Sequence, residues 1–134
     1  MPVLLSEQRQ IRASEDVVAV RQAVRQQAIA LGFNLIEQTK VVTAASELAR
    51  NTLQHGGGGA VTIDSVEDIG RQGLRLTFED TGPGIADIQL ALKDGFTTGT
   101  GLGLGLSGAR RLSNDFQIDS RPGEGTRVVI TRWR

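Results

Sequence analysis

Cysteine is missing from the 134 residues, tyrosine is missing too, and histidine and tryptophan occur once each. Without thiols there are no disulfides, no thiolate nucleophile and no thiolate zinc site, and one imidazole cannot build a histidine metal cluster. A thiol-free chain fits a reducing compartment. Net charge is also missing: fifteen basic side chains cancel fifteen acidic ones. No basic field is available to hold a phosphate backbone, so nucleic acid is not an expected partner. No apolar run approaches the ~20 residues of a membrane span, and the N-terminus lacks the apolar stretch of a signal peptide. The expectation is a cytoplasmic protein with no membrane association. The length suits one hydrophobic core and leaves no room for a second, so residues 1–134 read as a single domain.

What the chain does have is glycine, seventeen in all, placed beside chemistry-bearing residues. The central stretch is Asp80-Thr81-Gly82-Pro83-Gly84-Ile85. Before it, Leu74, Leu76 and Phe78 alternate with Arg75, Thr77 and Glu79, the period-two pattern of a strand with one buried face. Continuing the count puts Asp80 on the apolar side, where a carboxylate needs a partner or a ligand. Gly82 and Gly84 permit a tight turn and let a ligand approach the backbone. The segment reads as the floor of a binding site.

Taken in order, the chain predicts an α/β sandwich. Glu7 to Ala13 reads as an edge strand anchored by Ile11. Ser14, with Glu15 and Asp16 behind it, reads as the N-cap of a helix whose Val17, Val20, Val24, Ala28 and Leu31 recur at helical spacing up to Gly32. Asn34 with Glu37 three residues on caps a second helix, with Val41, Ala45, Leu48 and Thr52 as its buried stripe, ending near His55. Gly56 to Gly59 reads as a connector to a strand at Val61 and Ile63. Gly70 to Gly73 reads as the turn of a hairpin into Leu74–Asp80. Ile85, Ile88, Leu90 and Leu92 suggest a short helix, and Lys93 to Thr100 a lid. Leu106, Ala109 and Leu112 open a further helix. Phe116–Ile118 and Val128–Ile130 form two closing strands joined through Arg121 to Gly125. The expected architecture is an α+β sandwich: a mixed, mostly antiparallel sheet covered on one face by about three helices.

Three constellations carry candidate chemistry. Glu47 and Asn51 lie one turn apart on the second helix, where an amide oxygen can ligate magnesium and a carboxylate can orient or deprotonate a nucleophile. For the pair alone, a solvated helix face is the plainer reading. Asp80 with Gly82 and Gly84 is the second, and an ordinary Asp-Gly turn is its plainer reading. The third is Thr100-Gly101-Leu102-Gly103-Leu104-Gly105, alternating glycines running into a helix, where backbone N–H groups can cradle phosphate. A Rossmann fold would place such a cluster after its first strand, and a Walker loop would follow its last glycine with Lys-Ser/Thr. Neither describes this chain. His55, Trp133, Arg110 and Arg111 receive no functional role.

The order Glu47-x-x-x-Asn51, Asp80-x-Gly82-x-Gly84, Gly101-x-Gly103-x-Gly105, Gly125-Thr126 resembles the Bergerat-type ATP site of the superfamily spanning gyrase, heat-shock chaperones, histidine kinases and MutL. The segments Ser46–Asn51, Glu79–Ile85 and Gly123–Thr126 are most similar to the RsbT-type serine/threonine switch kinases of bacterial stress signalling. The resemblance implies ATP and Mg²⁺ as cofactors. It implies that Asp80 accepts the adenine amino hydrogen with Gly84 and Thr126 supporting the base. Asn51 would ligate Mg²⁺, Glu47 would act as general base toward a serine or threonine hydroxyl, and the amides of Gly101 to Gly105 would hold the phosphates. The implied partners are STAS-domain scaffold or antagonist proteins as substrates and a regulatory protein phosphatase, with a homodimer left open. Two other functions compete. Asp80-Thr81-Gly82 is also the triplet of aspartic proteases, but those are nearly all β and explain neither Glu47 with Asn51 nor the glycine series. The closer rival is an anti-sigma-factor kinase or nucleotide-binding regulator that sequesters a partner.

Overall fold

A computed structural model describes residues 3–85 and 105–134. Strand β1 (Val3–Ile11) leads into helices α1 (Ser14–Ala30) and α2 (Leu35–Gln54). The hairpin β2 (Gly59–Asp68) and β3 (Arg71–Asp80) follows, then helix α3 (Gly105–Arg111) and the strands β4 (Asp115–Arg121) and β5 (Gly125–Trp133). The strands form one sheet in the order β1-β2-β3-β5-β4, with every ladder antiparallel. The helices cover one face. Alternate residues of the central strands meet them there: Val61, Ile63, Leu74, Leu76, Phe78, Val128 and Ile130 pack with Val20, Val24, Ala45, Leu48 and Ala109, all at most 4% exposed. This alternation is the pleat expressed as burial, and it fixes the register, since a one-residue slip would send every core side chain to solvent.

Sequence signals set the ends of the helices, with one substitution of roles. At α2, Asn34 Oδ1 accepts from the Glu37 N–H at 2.8 Å and Glu37 Oε1 accepts from the Asn34 N–H at 3.3 Å, the reciprocal cap that the spacing implies. At α1 the cap residue is Ala13 and not Ser14. Asp16 explains the shift: its Oδ2 accepts from the backbone N–H groups of Arg12 and Ala13 at 2.8 and 3.0 Å, satisfying two amides from inside the helix with a charge the helix dipole favours. The α1 end is as expected, with Gly32 at φ +83° and Phe33 donating to the Ala28 carbonyl.

Three other boundaries move. β1 is longer at its start and ends at Ile11, not Ala13. The β2–β3 turn is the two-residue Ile69-Gly70 pair, both at positive φ (48° and 76°), the twist-matched hairpin turn, and not Gly70 to Gly73. Gly73 sits inside β3 opposite Trp133, whose ring fills the place a side chain would take, so the glycine serves strand packing. The indole N–H donates to Asp115 Oδ2 at 3.1 Å and the Arg71 guanidinium lies 4.0 Å from the ring centroid, so Trp133 is a packed side chain on the face away from the helices. The helix suggested by Ile85 to Leu92, the lid from Lys93 to Thr100, and the glycines Gly101 and Gly103 fall outside the described residues, apart from Ile85 itself.

Candidate nucleotide site

The register of four ladders places one residue from each strand in a row at one end of the sheet: Ile11, Gly59, Asp80, Thr126, Ser120. Their side chains share the helix-facing side. Ile11 closes the row in the core, fully buried, and the other end is polar. Asp80 lies beyond Phe78, the last buried residue of β3, and it is half-buried rather than enclosed in the core. Its Oδ1 accepts from the Gly82 N–H at 2.9 Å, so the turn it begins supplies one of its hydrogen bonds. Thr126 is its cross-strand neighbour on the same face of the sheet.

Three chain segments meet around this carboxylate at distances that only glycine allows. A Cβ on Gly56 would lie 2.6 Å from Asp80 Oδ2, and one on Gly82 would lie 2.7 Å from Gly56 Cα. Gly84, at φ +76°, has no room for a Cβ beside the Arg121 carbonyl, and Gly125, at φ +86°, none beside the carbonyl of Asp80 itself. The α2–β2 connector, the Asp80 turn and the β4–β5 corner therefore form one interlocked joint. Two polar links hold it. Gly123 N–H donates to the Pro83 carbonyl at 2.6 Å. Ser120 Oγ accepts from the Ile85 N–H at 2.8 Å, and contacts Gly125 O at 3.1 Å and Thr126 Oγ1 at 2.7 Å. The crowding at Gly56 and the Ile85 contact of Ser120 carry no local signal, since Asp80 lies 24 positions beyond Gly56 and Ile85 lies 35 positions before Ser120.

The second half of the candidate site is the last two turns of α2. Leu48, Ala49 and Thr52 are buried and hold the helix to the sheet, which leaves Glu47 and Asn51 half-buried on the adjoining face. Glu47 Oε1 pairs with Arg50 Nη1 at 3.0 Å, and Arg50 Nη2 donates to Ser46 Oγ at 3.1 Å. The arginine beside the glutamate is thus its orienting partner. The Asn51 carbonyl accepts from His55 and Gly56 at 2.9 and 3.2 Å, so Asn51 also ends the helix and starts the glycine connector toward Asp80. His55 is the exposed C-cap residue. Arg110 and Arg111 lie exposed in the last turn of α3, where positive charge complements the helix dipole. Gly105 is the first residue of α3. Thr100, Gly101, Leu102, Gly103 and Leu104 lie outside the described residues.

Among the described residues no group of three His, Asp or Glu side chains could hold a metal on its own. An ion here would need ligands from a nucleotide, as magnesium does when it is held by one or two protein oxygens plus phosphates. A groove of about 570 Å³ on the opposite face of the sheet, lined by Thr62, Asp64, Arg75 and Thr77 among others, is a different feature. Its most buried charge, Asp64, is already paired with Arg75 at 3.1 Å.

Residues 36–133 match the family described as histidine kinase-, DNA gyrase B- and HSP90-like ATPase. The serine/threonine-protein kinase RsbT of Bacillus subtilis is 46% identical over 118 residues, covering 88% of this chain and 89% of that protein. The chain belongs to this ATPase family, in its protein serine/threonine kinase branch. An anti-sigma F factor from Bacillus licheniformis is 35% identical over 104 residues, 72% of this chain and 69% of that protein. A crystal structure of the RsbU and RsbW domains of Rv1364c from Mycobacterium tuberculosis superposes with a TM-score of 0.62 over 96% of this chain and 33% of that one. At 19% identity it shows the shared fold. The HSP90-like ATPase match begins one residue into α2 and ends at Trp133, so it spans Glu47, Asn51, Asp80 and Thr126 together. Membership in this branch makes the chain a protein kinase. No helix of the described residues is long and apolar enough to cross a membrane.

Proposed function

We propose that this chain is an ATP-dependent protein serine/threonine kinase that acts as a switch in bacterial stress signalling. Its substrates are STAS-domain scaffold or antagonist proteins, and once released from them it activates a partner phosphatase. The observation that carries the reading is the half-buried Asp80, with Thr126 beside it, at the centre of a joint packed so closely that glycine is required on three sides. A carboxylate that accepts hydrogen bonds only, held at the rim of the core, suits the exocyclic amino group of adenine. Gly84 and Thr126 support the base, and the amides of Gly101 to Gly105 hold the phosphates. The Asn51 side-chain oxygen would ligate the magnesium ion that accompanies them. Glu47, held in one orientation by Arg50, takes the proton from the substrate hydroxyl. Magnesium ATP, when bound, supplies the phosphoryl group and the charge neutralisation that transfer needs. The whole of residues 1–134 works as one ATP-binding kinase domain in the cytoplasm.

The test separates base from binder. Glu47→Ala is expected to keep ATP affinity within about twofold while lowering phosphorylation of a STAS-domain substrate by roughly 10²-fold or more, the usual contribution of a general base. Unchanged phosphorylation by Glu47→Ala would refute its role. A second reading is favoured by the similarity to anti-sigma F factors: a kinase or nucleotide-binding regulator that sequesters a sigma factor. Co-purification decides between them, recovery of a sigma factor supporting the second reading and recovery of STAS-domain protein and phosphatase the first.

A further inference from the structure

Ser120 ends the polar row Asp80, Thr126, Ser120, one strand beyond Thr126. Its hydroxyl has one proton and two lone pairs, and it has three neighbours. The Ile85 N–H can only donate, at 2.8 Å, and takes one lone pair. The Gly125 carbonyl can only accept, at 3.1 Å, and so calls for the proton. What remains for Thr126 Oγ1, at 2.7 Å, is the second lone pair of Ser120, which requires Thr126 to be the donor. The reverse polarity leaves two acceptors facing each other at 3.1 Å and satisfies one contact fewer.

Resting on the proposed ATP reading, we infer that Ser120 is a positioning residue for base selectivity: it draws the Thr126 proton away from the ligand, so that Thr126 and Asp80 both present only acceptors. Two acceptors that converge on one exocyclic group suit the two hydrogens of the adenine amino group and oppose the carbonyl oxygen that guanine carries at the same position. The same hydroxyl pins Ile85, and with it the Asp80 turn, to the β4–β5 corner, so the row is fixed relative to the glycine joint. Discrimination is strong where a site's polar groups are left unpaired by the wrong ligand.

The experiment is calorimetric titration of the full chain with magnesium ATP and magnesium GTP, for the unaltered protein, Ser120→Ala, Ser120→Thr and Thr126→Val, with urea unfolding of each without nucleotide. Ser120→Ala frees the Thr126 hydroxyl to donate, and the ATP:GTP affinity ratio is expected to fall by about tenfold. Ser120→Thr keeps the hydroxyl and the ratio. Adding Ser120→Ala to Thr126→Val changes the ratio no further. If Ser120→Ala weakens both nucleotides equally, or lowers stability alone, Ser120 is structural and the inference fails while the ATP reading stands. Should Ser120→Ala not fold, a preserved ratio in Thr126→Val overturns the inference instead. If the unaltered chain binds neither nucleotide, both readings fall together.

Discussion

The two ends of the sheet are built from the same residue types and solve opposite problems. At the Asp80 end, glycines stand where backbones from three segments approach so closely that a methyl group has no place. At the other end the hairpin turns through Ile69-Gly70 in open space: Gly70 has no atom within 4 Å of its missing Cβ, and Ile69 is 96% exposed. There glycine is required by φ and not by crowding. Beside it Trp133 covers Gly73 and stacks under Arg71, so the gap is filled by a large ring. One end draws backbones together around a half-buried carboxylate; the other is closed by a large side chain. Close packing without side chains, around a carboxylate, sets the candidate site apart more specifically than glycine content does.

The contrast can be broken most severely at Gly84. Gly84→Ala forces a Cβ into the Arg121 carbonyl at a φ of +76°, and overpacking plus the left-handed backbone should cost about 3 kcal/mol or more in urea unfolding, with loss of ATP binding. Trp133→Ala should cost a similar ~3 kcal/mol by emptying the opposite end, yet leave ATP affinity unchanged. A drop in affinity there would show that the ends are not independent. The smallest effect has the opposite sign. Ile69 is a β-branched residue at φ 48° with its side chain in water, so Ile69→Asn should raise stability by about 1 kcal/mol with no change in nucleotide affinity.

The same contrast explains what the sequence could and could not disclose. Local patterns were enough for the alternation of Leu74, Leu76 and Phe78, the Asn34–Glu37 cap and the Val17-Val20-Val24 stripe, because each signal and its partner lie within a few residues. The Ala13 cap has no signal of its own, because Asp16 reaches backward to the Arg12 and Ala13 amides and takes over the role the Ser14 position implies. The hairpin turns earlier than the Gly70 to Gly73 spacing implies, because Gly73 is a strand residue whose partner, Trp133, lies sixty positions on. Asp80, Gly82 and Gly84 stand out by their spacing, whereas Thr126 comes only from the family resemblance. That Asp80 and Thr126 stand side by side, and that Ser120 completes their row, follows only from strand order, since β5 inserts between β3 and β4. Glu47 was legible as a candidate base, while its pairing with Arg50 depended on which rotamer the packed helix allows.

The most direct test is the affinity for magnesium ATP of the unaltered chain and of Asp80→Asn, each also unfolded in urea without nucleotide. The neutral amide keeps the shape but turns an acceptor-only group into one that also donates. Micromolar-to-millimolar binding by the unaltered chain, at least ~100-fold weaker binding by the variant, and similar unfolding midpoints are the predicted result. Equal affinity in the two proteins would contradict the claim that this carboxylate reads the base.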